Sequence, residues 1–178
     1  MNFTTKERYL LEDQKNQEQL CVQKYSSYAK LASDPQLKSI FQQLAQKEQE
    51  HYNTIDQLLK GQMPSMGQGG QQQSGGQQQF GQQMQMQSSQ PMQFGNQQSG
   101  GSQQSGGQQT GNFINSDKDL CNDMLATEKY VSGVYDTAIF EFRDTQVRNI
   151  LNHIQKEEQQ HGETLFKYME SKGMYSVK

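Results

Sequence analysis

The sequence predicts an all-α fold in which four helices form one bundle, built from two helical hairpins with a long crossover between them. Three observations carry this prediction. The middle of the chain differs in composition from its two arms, the arms repeat each other at an offset of 110 residues, and apolar residues in each arm recur in steps of three and four. Such steps are typical of amphipathic helices that bury one face.

The overall composition of the 178-residue chain is an average over segments of two different kinds. Only 31% of the residues are hydrophobic, and the formal net charge is −3. The segment Gly61–Asn112 contains 20 Gln, 13 Gly and no charged residue. It holds too little apolar surface to offset the entropy of its chain, which predicts a disordered Gln/Gly-rich linker over 61–115. The arms, 1–60 and 116–178, hold every charged residue and are predicted to pack together into one bundle.

Composition and charge also exclude several classes of function. No run approaches the roughly 18–20 apolar residues that a membrane span needs, and the charged, Gln-rich start does not resemble a signal peptide. The sequence pI of about 5.6 gives no basic footprint for nucleic acid. Two cysteines, Cys21 and Cys121, are too few for a disulfide framework or a four-thiolate metal site, and we expect them to be small buried residues.

The two arms align without a gap, which indicates a duplication. Tyr9–Gly61 and Asp119–Ser171 share 11 identities in 53 positions, and most other apolar positions keep an apolar residue. Asp34 and its counterpart Asp144 are each predicted to cap the second helix of their arm. Because the connections within each arm are short, each arm should form an antiparallel hairpin. Two hairpins joined by one long connection form the topology of ferritin-like bundles.

The predicted interior seams also repeat between the arms. In the first helix of each arm the seam positions are Leu11, Glu18, Val22, Tyr25, Ala29 and Ala32, matched by Cys121, Glu128, Ser132, Tyr135, Ile139 and Phe142. In the second helix they are Leu37, Phe41, Leu44, Glu48, His51, Ile55 and Leu58, matched by Val147, Leu151, Ile154, Glu158, His161, Leu165 and Tyr168.

Ionisable residues interrupt these apolar seams at equivalent positions. Each arm contributes one Glu from its first helix and a Glu-x-x-His motif from its second, and residues three apart share a helix face. One Glu from each of two helices, with Glu-x-x-His from each of the other two, is the ligand set of di-metal carboxylate bundles. The candidate metal ligands are Glu18, Glu48, His51, Glu128, Glu158 and His161.

The chemistry of these residues predicts two divalent metal ions, because two such ions would balance four buried carboxylates. Carboxylate and imidazole ligands suit iron, manganese or zinc and do not choose among them. Two alternatives stay open: a hydrogen-bonded relic that binds no metal, and a coincidence of polar residues on solvated faces. The flanking residues Glu50, Glu157 and Gln160 are assigned to solvated faces.

Three other residues stand near the predicted site. Tyr25 and Tyr135 follow the first-helix glutamates by one heptad and are expected to face the site. They are read either as core residues whose hydroxyls hydrogen-bond inward or as participants in the chemistry of the metal. His153 has no counterpart in the other arm and is expected on the surface.

The second arm resembles the coat F family of spore coat proteins from endospore-forming, clostridial bacteria. The resemblance lies in the segments Asp119–Asp123, Tyr135–Phe142 and Met169–Tyr175. It implies a structural protein that is made in the cytoplasm without a signal peptide and deposited in the spore coat among other coat proteins. The sequence leaves open whether the hairpins exchange between two chains to form a homo-oligomer.

The first arm is similar to the rubrerythrin branch of the ferritin-like superfamily through Glu18, Glu48 and His51. That similarity implies the alternative function, a di-iron or di-manganese oxidoreductase of peroxidase, catalase or oxidase type. Rubrerythrins also carry a four-Cys rubredoxin centre, which a chain with two cysteines cannot form. The structural role is therefore the leading prediction.

Overall fold

A computed structural model of the chain describes residues 2–64 and 116–175. These residues form no strand and contain four helices: α1 (Thr5–Leu31), α2 (Pro35–Leu59), α3 (Asp117–Glu141) and α4 (Thr145–Ser171). The predicted all-α, four-helix fold is confirmed. Apart from its first four residues, the predicted linker over 61–115 lies outside the described residues. None of the described helices is long and apolar enough to cross a membrane.

Capping residues fix where the helices begin. The Thr4 hydroxyl accepts the backbone N–H of Glu7, while the Glu7 carboxylate accepts the backbone N–H of Thr4, which forms a capping box at the start of α1. Asp34 and Asp144 accept backbone N–H groups in the first turns of α2 and α4, as predicted. Three residues separate the helices within each pair, so each pair forms an antiparallel hairpin.

The start of each hairpin is tied to the turn of the other. The Glu7 carboxylate accepts the backbone N–H of Arg143 in the α3–α4 turn at 3.1 Å. At the equivalent positions of the repeat, the Asp117 carboxylate accepts the backbone N–H of Ser33 in the α1–α2 turn at 2.7 Å. The hairpins therefore pack in an approximate twofold arrangement, in which α1 runs antiparallel to α3 and α2 runs antiparallel to α4.

This arrangement separates the two points between which the crossover must run. The last turns of α2 lie beside α1 near its start, where Lys15 pairs with Asp56 at 2.6 Å. The start of α3 lies at the other end of the bundle, where Asp117 contacts the α1–α2 turn. Because α2 has 25 residues, the two points are about 37 Å apart along the bundle axis at 1.5 Å per residue.

Two apolar layers enclose the middle of the bundle. One layer is centred on Tyr25, Phe41 and Met169, and the other on Leu11 and Leu151. Every predicted seam position of α2 and α4 is buried. The two cysteines are free and buried, as expected.

The predicted seams of α1 and α3 are wrong in part. Val22, Ser132 and Ile139 are only half-buried. Cys21 and Val131 lie fully inside instead. The reason is that α1 and α3 pack more closely against each other than α2 and α4 do, which turns their interior faces toward one another.

Candidate metal centre

The structure brings all six candidate ligands together in the middle of the bundle. Each of the six is at most 5% exposed. They come from all four helices: Glu18 from α1, Glu48 and His51 from α2, Glu128 from α3, and Glu158 and His161 from α4. This burial excludes the alternative that these residues lie on solvated faces by coincidence.

The ligand atoms form two groups, and each group is compact enough to surround one ion. The first candidate metal position would be formed by Glu18, Glu48, His51 and Glu158, and the second by Glu48, Glu128, Glu158 and His161. Within each group, one ligand atom from every residue lies within 4.8 Å of the others. The two Glu-x-x-His glutamates belong to both groups, which is where carboxylates that bridge two ions would stand.

Several ligand atoms at this centre have no hydrogen-bond partner among the described residues. They are Oε2 of Glu18, Oε2 of Glu48, Oε2 of Glu128 and both carboxylate oxygens of Glu158, together with Nδ1 of His51, which lies 2.8 Å from Glu158 Oε1 without forming a hydrogen bond. A buried polar atom left unpaired costs about 1–3 kcal/mol, and more if it is charged. Divalent cations take oxygen and imidazole donors of this kind, so the residues fit two such ions.

Burial and mutual contact shift the pKa values of the clustered residues in opposite directions. Burial raises the pKa of Glu18 to about 8, and burial with the charges of Glu48 and Glu158 holds the pKa of Glu128 well above its ordinary value. Burial alone would also raise the pKa of Glu48 and Glu158, but the two histidine rings beside them lower both. Burial alone would lower the pKa of His161, yet these same carboxylates raise it to about 9. Divalent cations would take the place of protons bound by these residues.

Two tyrosines bind the carboxylates across the twofold arrangement. The Tyr135 hydroxyl on α3 donates to Glu18 Oε1 on α1 at 2.5 Å, and the Tyr25 hydroxyl on α1 donates to Glu128 on α3. Both tyrosines are fully buried. The expectation that they face the site and hydrogen-bond inward is confirmed.

Glu157 is a further residue of the centre, and its assignment to a solvated face was wrong. Its Oε2 lies 3.0 Å from Nε2 of His51, and its side chain is only 26% exposed. On the other side of the same ring, Nδ1 lies 2.8 Å from Glu158 Oε1. The repeat counterpart of Glu157 is Lys47, a cation. Within the described parts of the chain, His161 therefore has no equivalent carboxylate behind its ring.

Two other polar residues lie near the centre. The side chain of His153 is 52% exposed, as expected, with Nε2 at 3.4 Å from Glu157. Gln14 was not singled out from the sequence, although it lies on the same helix face as Glu18, one turn earlier. It is fully buried, and neither atom of its amide has a partner in the described regions.

The fold and the centre define a four-helix bundle with a paired carboxylate–histidine cluster at its middle. In a comparison with protein families, residues 116–178 match the Coat F domain. The match covers the second hairpin and its ligands Glu128, Glu158 and His161, and it supports a role in the spore coat. No curated protein and no solved structure matches the chain.

Proposed function

We propose that the chain is a structural protein of the endospore coat whose ferritin-like bundle holds two divalent metal ions. The Coat F match over residues 116–178 supports the coat role and the location. The metal centre is argued from one observation: inward-facing ligand atoms from four helices converge, and several have no hydrogen-bond partner among the described residues. Iron, manganese and zinc all suit this donor set.

The structural benefit of the ions follows from where their ligands come from. The first metal position takes Glu158 from the second hairpin, and the second takes Glu48 from the first hairpin. Bound ions would therefore fasten the two hairpins to each other. Because binding occurs only in the folded state, it adds to the free energy of unfolding. Such a bundle suits a layer that must persist around a dormant cell.

Elemental analysis of the purified protein tests the centre. We expect two ions per chain after loading with Fe(II), Mn(II) or Zn(II). The double variant Glu48→Gln/Glu158→Gln should lose both, because these residues belong to both positions. The double variant Glu50→Gln/Glu163→Gln changes exposed glutamates on the same helices and should keep both ions. A metal-free parent protein would make the cluster a hydrogen-bonded relic.

The Gln/Gly-rich segment suggests how the protein joins other coat proteins. A polar, uncharged tract adds nothing to the chemistry of the centre, but tracts of this composition mediate assembly. We expect a variant with residues 61–112 replaced by about 20 Gly/Ser residues, enough to span the bundle, to fold but to enter the coat poorly. If this variant is present in purified spore coats at the normal level, the segment is not required for assembly.

The second candidate function is a di-iron or di-manganese oxidoreductase of peroxidase or catalase type. It is favoured by a cavity whose wall includes Glu128 and Glu158. A bound pair of redox-active ions would supply the electrons, while the carboxylates and imidazoles would fix their geometry. Consumption of hydrogen peroxide by iron-loaded protein, lost in Glu48→Gln/Glu158→Gln, would establish this function. Two bound ions without turnover would leave the ions structural.

A further inference from the structure

A cavity of about 500 Å³ lies between α3 and α4 and reaches the metal centre. Its wall includes Glu128 and Glu158, two ligands of the second metal position. The remaining wall is apolar at Leu125 and Phe166, and its rim carries two exposed residues of opposite charge, Lys129 and Glu163. Cavities of this size, mostly apolar with a few polar groups, are typical of small-molecule sites.

The cavity exists on this side of the bundle because Gly162 has no side chain. The repeat counterpart of Gly162 is Tyr52. On the first hairpin, Lys15 Nζ lies 5.1 Å from the centre of the Tyr52 ring and pairs with Asp56 at 2.6 Å. These three side chains occupy the positions of the first hairpin that correspond to Leu125, Gly162 and Phe166 in the cavity wall.

Two further differences between the hairpins make the cavity wall apolar. Leu125 and Phe166 occupy the positions of the repeat that Lys15 and Asp56 occupy in the first hairpin. An apolar wall therefore stands where the other hairpin carries an ion pair. This wall favours an apolar body in the ligand. A metal ion at the second position would favour a negatively charged oxygen donor.

The two metal positions also differ in what lies behind their histidine rings. The first position has Glu157 behind the ring of His51. The second position lacks such a carboxylate behind His161 among the described residues and borders the cavity through Glu128. Of the two site residues in the wall, Glu158 belongs to both positions and Glu128 to the second alone, so a ligand in this cavity lies on the side of the second position.

We infer that this cavity is a binding site for a small carboxylate with an apolar body, whose oxygens reach the second metal position. The inference rests on the proposed metal centre and names the ligand class and the point of entry for it. Gly162 determines access, because a Cβ at this position would lie 3.7 Å from Leu125 Cδ1 and 3.9 Å from Glu128 Cβ, two residues of the cavity wall, and a larger side chain would extend into the cavity.

Titration of the Co(II)-loaded protein with benzoate and with acetate tests the inference, with the visible absorption of bound cobalt as the readout. We expect benzoate to bind more tightly than acetate. Gly162→Phe should weaken benzoate binding by about tenfold or more through overpacking. Gly133→Phe is the matched control on the same hairpin, because an added Cβ there meets nothing within 4 Å.

A smaller substitution keeps the test decisive if Gly162→Phe does not fold. In Gly162→Ala the new Cβ would lie 3.7 Å from Leu125 Cδ1, an ordinary contact, so this variant should fold and bind benzoate more weakly than the parent. Equal benzoate affinity in the parent and the Gly162 variants would overturn the inference, and so would the absence of any spectral response to benzoate. In either case, two bound cobalt ions per chain would still support the proposed metal centre. Cobalt-free parent protein would overturn both.

Discussion

The Tyr135 hydroxyl on α3 donates a 2.5 Å hydrogen bond to Glu18 on α1, and so joins the two hairpins at the metal centre. Tyr25 makes the reciprocal contact to Glu128. These bonds connect buried groups from opposite arms of the chain. They hold the two first-helix glutamates in place without any ion.

Removal of one hydroxyl should destabilise the metal-free bundle. In Tyr135→Phe a buried carboxyl oxygen of Glu18 loses its donor, and we expect the free energy of unfolding to fall by about 1–3 kcal/mol. Urea unfolding followed by circular dichroism measures this. Tyr130→Phe is the control on the same helix, since Tyr130 is 61% exposed. Equal urea midpoints for the two variants would contradict the prediction.

Loss of the carboxylate behind His51 should weaken only one metal position. A hydrogen bond to the far nitrogen of a ligand histidine orients its ring, and its loss typically costs 10- to 100-fold in metal affinity. We therefore expect Glu157→Gln to weaken binding at the first position by about tenfold or more and to spare the second. Calorimetric titration with Zn(II) can separate the two. Glu50→Gln changes an exposed residue and should alter neither. Equal weakening at both positions would refute this role for Glu157.

Shortening the crossover should convert the protein into a swapped dimer. Deletion of 61–112 leaves residues 113–116 between Lys60 and α3. These span at most about 14 Å when fully extended. The points to be joined are about 37 Å apart. The two hairpins of one chain can then meet only the hairpins of another. Size-exclusion chromatography with light scattering should show a helical dimer, whereas a replacement of about 20 Gly/Ser residues reaches far enough to leave a monomer. A monomeric deletion variant with intact helices would contradict the twofold arrangement.

Glu7 should contribute to the acid sensitivity of the fold. Burial alone would raise its pKa, but hydrogen bonds from Thr4 and Arg143 lower it from 4.5 to about 2. Because the pKa is lower in the folded chain, the stabilisation is complete above about pH 5 and is lost as the pH falls toward 2. At pH 7 we expect Glu7→Gln to reduce the free energy of unfolding by about 1–3 kcal/mol.

The pH dependence separates this effect from a simple loss of packing. The difference in urea midpoint between the parent and Glu7→Gln should shrink between pH 5 and pH 2, because Glu7 takes up a proton as the pH falls toward its folded-state pKa of about 2. Glu12→Gln changes an exposed residue of the same helix and should match the parent throughout. A difference that is the same at pH 2 and pH 7 would show that charge is not the cause.

Periodicity and the internal repeat were enough to predict the four helices, the caps at Asp34 and Asp144, and the meeting of the six candidate ligands. These features follow from spacing along one helix and from the equivalence of the arms. The interior faces of α1 and α3 were less predictable. Their rotation depends on how closely the two helices approach, which neither helix encodes alone.

The contribution of Glu157 was missed for a related reason. Glu157 stands directly before a site glutamate, so helical spacing places it beside the seam and not in it. Its contact with His51 crosses from α4 to α2 and depends on how those helices are set against each other. The exchange of Tyr52 for Gly162 was visible in the alignment of the arms, but only the packing of α3 against α4 shows that it leaves a cavity.

The twofold arrangement means that a single hairpin could have built the same centre by pairing with a copy of itself. In such a pair, any change on one side appears on the other as well. A fused chain is free of that constraint. In this chain the two hairpins differ at two pairs of equivalent positions, Lys47 and Glu157, and Tyr52 and Gly162. Joining the hairpins in one chain thus allows the two halves of the carboxylate–histidine cluster to differ in their surroundings, which two identical subunits could not achieve.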